Sequence, residues 1–354
     1  MLVLKKKLVD AARGLRAFLV RRGRAQRLRQ AEQHIEKQRE RIERQELELR
    51  ELRTKLAEST RAAEYRGINP ENIVWILGTA RTGSTWLASM LGELEGHAVW
   101  REPHVGTLFG RLYYDWVGER HFETKHFILG RRARESWLKS MRAFILNEAS
   151  ARFGEVGNEG LLVIREPNGS IGAPLLMEAL PESRMILLVR DPRDVTASAL
   201  DAARKGSWLY KRRVEEGAGR GKMFGMQANA LVQRTAAKYL QNVGNSEEAY
   251  RAHRGPKVLV RYEDLRFDTL GTMQRVYSTL DMAVDEEDLA RAVEKHSWEN
   301  VPEEAKGEGK FHRKASPGSW REDLTEGQAR MVEEITASLL EEFYSTEMQG
   351  QDKP

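Results

Sequence analysis

The sequence predicts a three-layer α/β domain of P-loop type around a mostly parallel sheet, preceded by a basic helix and a coiled-coil segment. Three observations carry this expectation. The apolar run Ile73-Val74-Trp75-Ile76-Leu77 stops at Gly78, crosses a short turn to Gly83, and enters a helical pattern at Ser84-Thr85-Trp86-Leu87, which is a strand, a phosphate-binding type of turn and a helix start. A second apolar run, Met185 to Val189, ends in Arg190-Asp191-Pro192-Arg193-Asp194, a buried parallel strand followed by a capped helix. Residues 26–63 contain neither Gly nor Pro and repeat apolar positions every seven residues, the signature of a coiled coil.

Composition sets the bounds. The chain has 354 residues, 40% hydrophobic and 31% charged, with a formal net charge of +5 and no cysteine. One large domain or two are expected. Structural disulfides and thiolate metal sites are excluded. No apolar run approaches the roughly 18 residues of a membrane-spanning helix. A cytoplasmic location is expected, and the positive balance suits anionic ligands.

Taken in order, the first element is a basic amphipathic helix over residues 1–27. Ten basic residues and a single acid, Asp10, fall between Met1 and Arg29, while Leu4, Leu8, Ala11, Leu15, Phe18 and Leu19 recur on one stripe. Such a helix lies on an anionic membrane surface. It could equally extend the following helix into solvent or serve as a nucleic-acid arm, and of these the membrane is favoured, with no nucleic-acid partner expected. Residues 28–66 form the coiled-coil segment. Leu28, Ile35, Ile42, Leu49 and Leu56 make a strong layer, and Ala31, Gln38, Gln45, Leu52 and Ser59 a weaker one. A solvated lone helix of this length is marginal, so a homo-oligomer is expected, with a helix folded back on the following domain as the alternative. Gly67-Ile68-Asn69-Pro70 breaks the helix. The globular domain is placed at 67–341 and a flexible tail at 342–354.

Within that domain, Gly78 and Gly83 have the G-x-x-x-x-G spacing of a P-loop, and Thr85 supplies the hydroxyl. Ser84, however, stands where nucleoside-triphosphate sites place lysine. The amides of a helix N-terminus still hold a phosphate, so the loop fits a nucleotide with a shorter 5′ anionic chain. Arg190 and Ser198 flank the second turn and are unexplained by capping alone. A guanidinium and a hydroxyl one turn into a helix can grip a phosphate. Residues 202–225 combine several cations with Gly217, Gly219, Gly221 and Gly225. They form a lid, an acceptor wall or a solvated loop.

Together these segments resemble sulfotransferases that use 3′-phosphoadenosine 5′-phosphosulfate (PAPS). Arg81-Thr82-Gly83-Ser84-Thr85-Trp86 is similar to the family's first motif, and Arg190-Asp191-Pro192-Arg193-Asp194-Val195-Thr196-Ala197-Ser198 to its second. Arg313-Lys314-Ala315-Ser316-Pro317-Gly318-Ser319-Trp320-Arg321 resembles the loop that closes over the 3′-phosphate, with Ala315 where Gly is usual and Arg321 where Lys is usual. Tyr262-Glu263-Asp264-Leu265 resembles a further, mainly structural segment, with Glu263 or Asp264 expected to cap the next helix. The matches cover residues 72 to 321.

The resemblance implies PAPS as co-substrate, with no metal required. It implies that Arg81 reaches the 5′-phosphosulfate, that Thr82, Gly83, Ser84 and Thr85 line the phosphate, and that Trp86 stacks on adenine. Arg190, Ser198, Arg313 and Lys314 would bind the 3′-phosphate. Glu102, in Arg101-Glu102-Pro103-His104, is the implied general base, as in carbohydrate-type members, with Glu166 and His104 in reserve. Arg165 would assist the leaving group or bind the acceptor. Sulfation of a hydroxyl on a carbohydrate or glycolipid is the expected reaction. The alternatives are a phosphotransferase (kinase) on the same fold and a catalytically silent coiled-coil scaffold.

Overall fold

The computed structural model describes residues 2–21, 25–64, 68–117, 126–156, 160–215 and 226–351. The chain divides into two compact units, Met1–Arg66 and Gly67–Pro354. Gly67 at the expected helix break, the glycine-rich stretch 216–225 of the expected lid and the last three residues of the expected tail lie outside the described residues.

The first unit is two helices, α1 (Leu2–Arg21) and α2 (Ala25–Glu64). Arg16 Nε lies 3.7 Å from Glu32 Oε1. Sixteen residues of straight helix would separate them by about 24 Å, so α1 turns back along the start of α2. No described helix is long and apolar enough to cross a membrane. Ile35, Gln38 and Ile42 are half-buried on one stripe of α2, whereas Leu52 is exposed.

The second unit is built on five strands: β1 (Ile73–Gly78), β2 (Ala98–Arg101), β3 (Leu162–Arg165), β4 (Arg184–Val189) and β5 (Lys257–Arg261). All pair in parallel, in the order β2-β3-β1-β4-β5. Between strands run α3 (Ser84–Leu91), α4 (Val105–Val117), α5 (Arg134–Phe153), α6 (Ala173–Ala179), α7 (Pro192–Ala202), α8 (Trp208–Glu215) and α9 (Ala228–Ala252). After β5 come α10 (Tyr262–Phe267), α11 (Thr269–Thr279), α12 (Glu286–Lys295), α13 (Trp320–Asp323) and α14 (Glu326–Gln351).

The central strands are apolar throughout because both faces are covered. Val74, Ile76, Val163, Ile186 and Val260 pack with Leu87 and Met90 of α3, Met273, Val276 and Tyr277 of α11 and Leu289 of α12. The long α9 packs along β1 and β4 and carries α6, α7 and α14. The expected three-layer α/β architecture is therefore present. Residues placed in a tail from 342 begin as the last turns of α14, where Tyr344 is buried and donates to Glu263 Oε2 at 3.1 Å.

The order in which strands are laid down reverses beside β1: β2 and β3 lie to one side of it, β4 and β5 to the other. Such a switch point opens a crevice at the carboxyl ends of the strands, where ligands bind in open α/β sheets. Around that edge stand Glu102 after β2, Arg165 ending β3, the Gly78–Gly83 turn after β1 and Arg190 after β4.

Candidate active site

The turn after β1 is shaped by its glycines. Gly78 has φ 142°, and a Cβ there would meet Leu188 O of the neighbouring strand at 2.1 Å. Gly83 has φ 86°, and a Cβ would strike the Tyr262 ring at 2.7 Å. Thr82 Oγ1 donates to Thr79 O at 2.8 Å and closes the turn. Gly83 caps α3, so the amides of Ser84, Thr85 and Trp86 open the helix. Unsatisfied amides there and the helix dipole favour an anion. Trp86 lines the crevice and is tethered by its indole N–H to His296 O at 2.7 Å.

Three guanidiniums gather next to this turn. Arg81 Nε donates to Ser198 Oγ at 2.9 Å, and Arg190 Nη1 donates to Arg81 O at 3.1 Å. Arg190 also lies 4.2 Å over the Tyr262 ring. Burial, with Arg190 and Arg313 nearby, pulls the Arg81 pKa down to about 10. The group stays charged at neutral pH, and the like charges repel one another. Arg190 is almost fully buried, yet its Nε has no hydrogen-bond partner among the described residues. An anion placed among the guanidiniums would relieve that repulsion. The guanidinium of Arg81 is thus beside Ser198, the residue expected at the 3′-phosphate.

The C-terminal loop is locked to the second motif by Asp194. This fully buried carboxylate accepts from Gly318 N at 2.7 Å and Trp320 N at 2.9 Å. Burial raises its pKa, against the pull of Arg190. Asp191 caps α7, accepting from Arg193 N at 2.8 Å. Arg313 Nη2 is 2.6 Å from Asp323 Oδ2, and Lys314 Nζ is 2.8 Å from Glu322 Oε2. Both basic residues line the crevice. Ala315 has φ 50°, a left-handed conformation that costs a side chain roughly 1–2 kcal/mol. That conformation explains the advantage of Gly at this position.

Glu263 does not cap the following helix. Its Oε1 accepts from Asp191 N at 3.0 Å, and α11 is capped by Asp268, which accepts from Gly271 N at 2.9 Å. The reason is geometric. The Tyr262–Leu265 segment is already helical, and the Glu263 carboxylate turns towards the start of α7.

At the other end, the parallel register sets Arg101 beside Arg165, and Glu102 N donates to Arg165 O at 2.9 Å. Glu102 Oε1 is 3.0 Å from Arg165 Nη1, while Oε2 has no partner among the described residues. Arg165 Nη1 is also 3.4 Å from Ser84 Oγ, linking this pair to the first turn of α3.

The two reserve bases separate. His104 is exposed on the crevice rim. Glu166 is fully buried and its carboxylate accepts from His104 N at 2.9 Å and Gly106 N at 3.3 Å, capping α4 from the neighbouring strand. Burial pushes its pKa from 4.5 up to about 8, against those two amide bonds. The folded protein keeps a proton that the unfolded chain releases. Stability therefore falls as pH rises from about 4.5 through about 8. Glu166→Gln cannot titrate and should remove this slope, so its urea midpoints at about pH 5 and about pH 9 should lie closer together than those of the parent protein. An unchanged slope would assign the titration elsewhere.

Among the described residues, five that are not glycine have positive φ, and Arg81, Glu102, His104 and Ala315 are four of them. All four line one crevice of about 1640 Å³. Backbone strain concentrated in this way marks functional sites. Sequence reasoning missed several lining residues, including Lys238, Arg234 and Arg111 on the long helices and Trp208 and Phe311, whose rings lie 5.5 and 5.6 Å from the Arg81 guanidinium. Helical periodicity is the signal at Arg111, Trp208, Arg234 and Lys238, and Phe311 lies in a loop with no such signal. Among the described residues no group of three His, Cys, Asp or Glu side chains could hold a metal ion.

A sulfotransferase from Mycobacterium avium is 17% identical, with TM-score 0.48 and 78% of each chain covered. A mouse sulfotransferase solved in complex with PAP is 14% identical, with TM-score 0.46, covering 80% of this chain and 89% of the other. No curated protein matches the chain in sequence. The description "Sulfotransferase domain" matches residues 71–344, which contain both strand-end motifs, the C-terminal loop and the whole crevice, and the chain belongs to the sulfotransferase family.

Proposed function

We propose that the protein transfers a sulfuryl group from PAPS to a hydroxyl of a carbohydrate or glycolipid acceptor, with Glu102 as general base. One observation carries this reading: a single crevice has the Arg81–Arg190–Ser198–Arg313 cluster at the ends of β1 and β4, and the Glu102–Arg165 pair at the ends of β2 and β3. PAPS, when bound, supplies the activated sulfuryl group. Arg190, Ser198 and Arg313 hold its 3′-phosphate, assisted by Lys314, and Trp86 offers a ring to adenine. Amides from Thr82 to Trp86 face the 5′-phosphate. Arg81 turns from Ser198 to the bridging oxygen, where negative charge develops as the bond breaks. Glu102 takes the acceptor proton, while Arg165 holds its carboxylate in place. The carbohydrate class is supported by the Glu102-Pro103 pair, which resembles that of carbohydrate-type members.

The test is transfer of labelled sulfate from PAPS to a panel of saccharides and glycolipids, with labelled ATP in parallel. Sulfated saccharide is the expected product. Phosphate transfer instead, or sulfation confined to non-carbohydrate acceptors, would overturn the reading.

The heptads of α2 support a homo-oligomer, and the basic residues of α1 support contact with an anionic membrane surface. Deleting residues 1–66 should leave a folded monomer active on soluble acceptors, read by light scattering and turnover. Retention of the parent's oligomeric state would move the contact into the second unit. Vesicles with and without phosphatidylserine should separate the parent from the deletion by co-sedimentation, and equal binding would remove the membrane role.

A further inference from the structure

The crevice holds more positive charge than a nucleotide explains. Among the described residues Glu102 is the one acidic side chain lining it, and Arg165 already pairs with that carboxylate. The donor's phosphates account for the cluster around Ser198. A second group of cations remains on the Glu102 side: Arg111 on α4, and Arg234 and Lys238 on α9. Asn168 joins these elements, accepting from Lys238 Nζ at 3.0 Å through Oδ1 and from Thr107 of α4 at 3.3 Å through its carbonyl.

This second group lacks counter-charge. Lys238 bonds an amide oxygen, Arg234 Nη1 lies 3.8 Å from Met226 Sδ, and among the described residues neither has a carboxylate within ion-pair distance. Arg111 is 3.5 Å from Asp115, but both side chains are about three-fifths exposed, and such surface pairs contribute little. Lys238 and Arg234 are exposed to the crevice solvent; the neighbouring protein still lowers the Lys238 pKa by desolvation, as do Arg234 and Arg111, while Glu102 opposes them. Arg234 and Lys238 are four residues apart on α9, as Thr107 and Arg111 are on α4, so each pair shares a helix face; Asn168 ties the two faces together, and the three cations border the crevice together with Glu102.

We infer that the acceptor itself carries a negative charge, as a carboxylate or a phosphate or sulfate ester beside the reacting hydroxyl, and that Lys238, Arg234 and Arg111 hold it. The inference rests on the proposal that the Glu102 end receives the acceptor. An oxyanion here would relieve repulsion among the cations and accept directed hydrogen bonds from guanidinium and ammonium groups. It would also fix the hydroxyl relative to the Glu102 carboxylate, which is the orientation the transfer needs.

The experiment compares acceptors that share a ring and differ in charge: p-nitrophenyl β-glucoside, β-glucuronide, and the glucosides bearing 6-sulfate or 6-phosphate. With the full-length protein and PAPS, at least one charged member should exceed the neutral glucoside in kcat/KM by about tenfold or more. Comparing the uronide with the esters separates the two sources of charge. The double variant Arg234→Gln, Lys238→Gln should collapse this ratio towards one, with affinity for adenosine 3′,5′-bisphosphate measured alongside to report an intact fold. Equal use of neutral and charged acceptors, or a ratio that survives the double variant, would overturn the inference. If no saccharide is sulfated, the acceptor class proposed above fails separately. Binding of glucose, glucuronate and glucose 6-phosphate to the bisphosphate-saturated protein then reads the pocket directly. Salt-sensitive binding of the charged members alone, lost in the variant, supports the anion site, and absence of such binding overturns it.

Discussion

Glu102→Gln is expected to lower kcat for sulfuryl transfer by roughly 10²-fold or more, while PAPS affinity stays within about threefold. The amide keeps the shape of the carboxylate and can still accept from Arg165, whose Nη1 lies 3.0 Å from Glu102 Oε1. It cannot take the acceptor proton. A base acts only as the proton leaves, so the loss should fall on kcat rather than on nucleotide binding. The backbone adds to the case: Glu102 has φ 51°, which a residue with a side chain adopts at a cost. Glu166→Gln and His104→Ala serve as comparisons. Glu166 is occupied in capping α4, and His104 stands on the rim. If either variant abolished turnover while Glu102→Gln kept most of it, the base would have to be moved to that residue.

Arg190→Ala should weaken binding of adenosine 3′,5′-bisphosphate by about 2–4 kcal/mol, the range expected for removing a buried charged donor from a phosphate. Adenosine 5′-phosphate should lose far less. Calorimetry with the two ligands makes the comparison internal, so any general loosening of the turn affects both. Such loosening is a real concern, because Arg190 also holds Arg81 O at 3.1 Å and packs on Tyr262. Equal losses for both nucleotides would mean that Arg190 supports the turn rather than the 3′-phosphate.

The sequence by itself determined the strand-turn-helix character of the core. Ile73–Leu77 and Met185–Val189 are apolar at every position, as strands covered on both faces require, and both runs are short and end in a turn or a helix cap. Gly78 and Gly83 are legible because their conformations exclude side chains, and Asp191-Pro192 because capping is local chemistry. These are short-range constraints, and the turns they specify are the ones observed.

Tertiary structure decided what lies across from what. Parallel register brought Arg165 to Glu102, so the carboxylate is held by a neighbouring strand rather than by its sequence neighbour Arg101. Glu166, adjacent to Arg165 in sequence, points into the protein and caps α4, because successive strand-end residues face opposite ways. The positive φ of Ala315 and the tie of Glu263 to Asp191 depend on how loops close over the sheet. The crowd of cations on α4 and α9 became visible only once two distant helices met at Asn168. Helical periodicity says which face is polar, but not which polar face closes a crevice. That choice depends on the packing of helices on the sheet, and packing is a property of the whole fold.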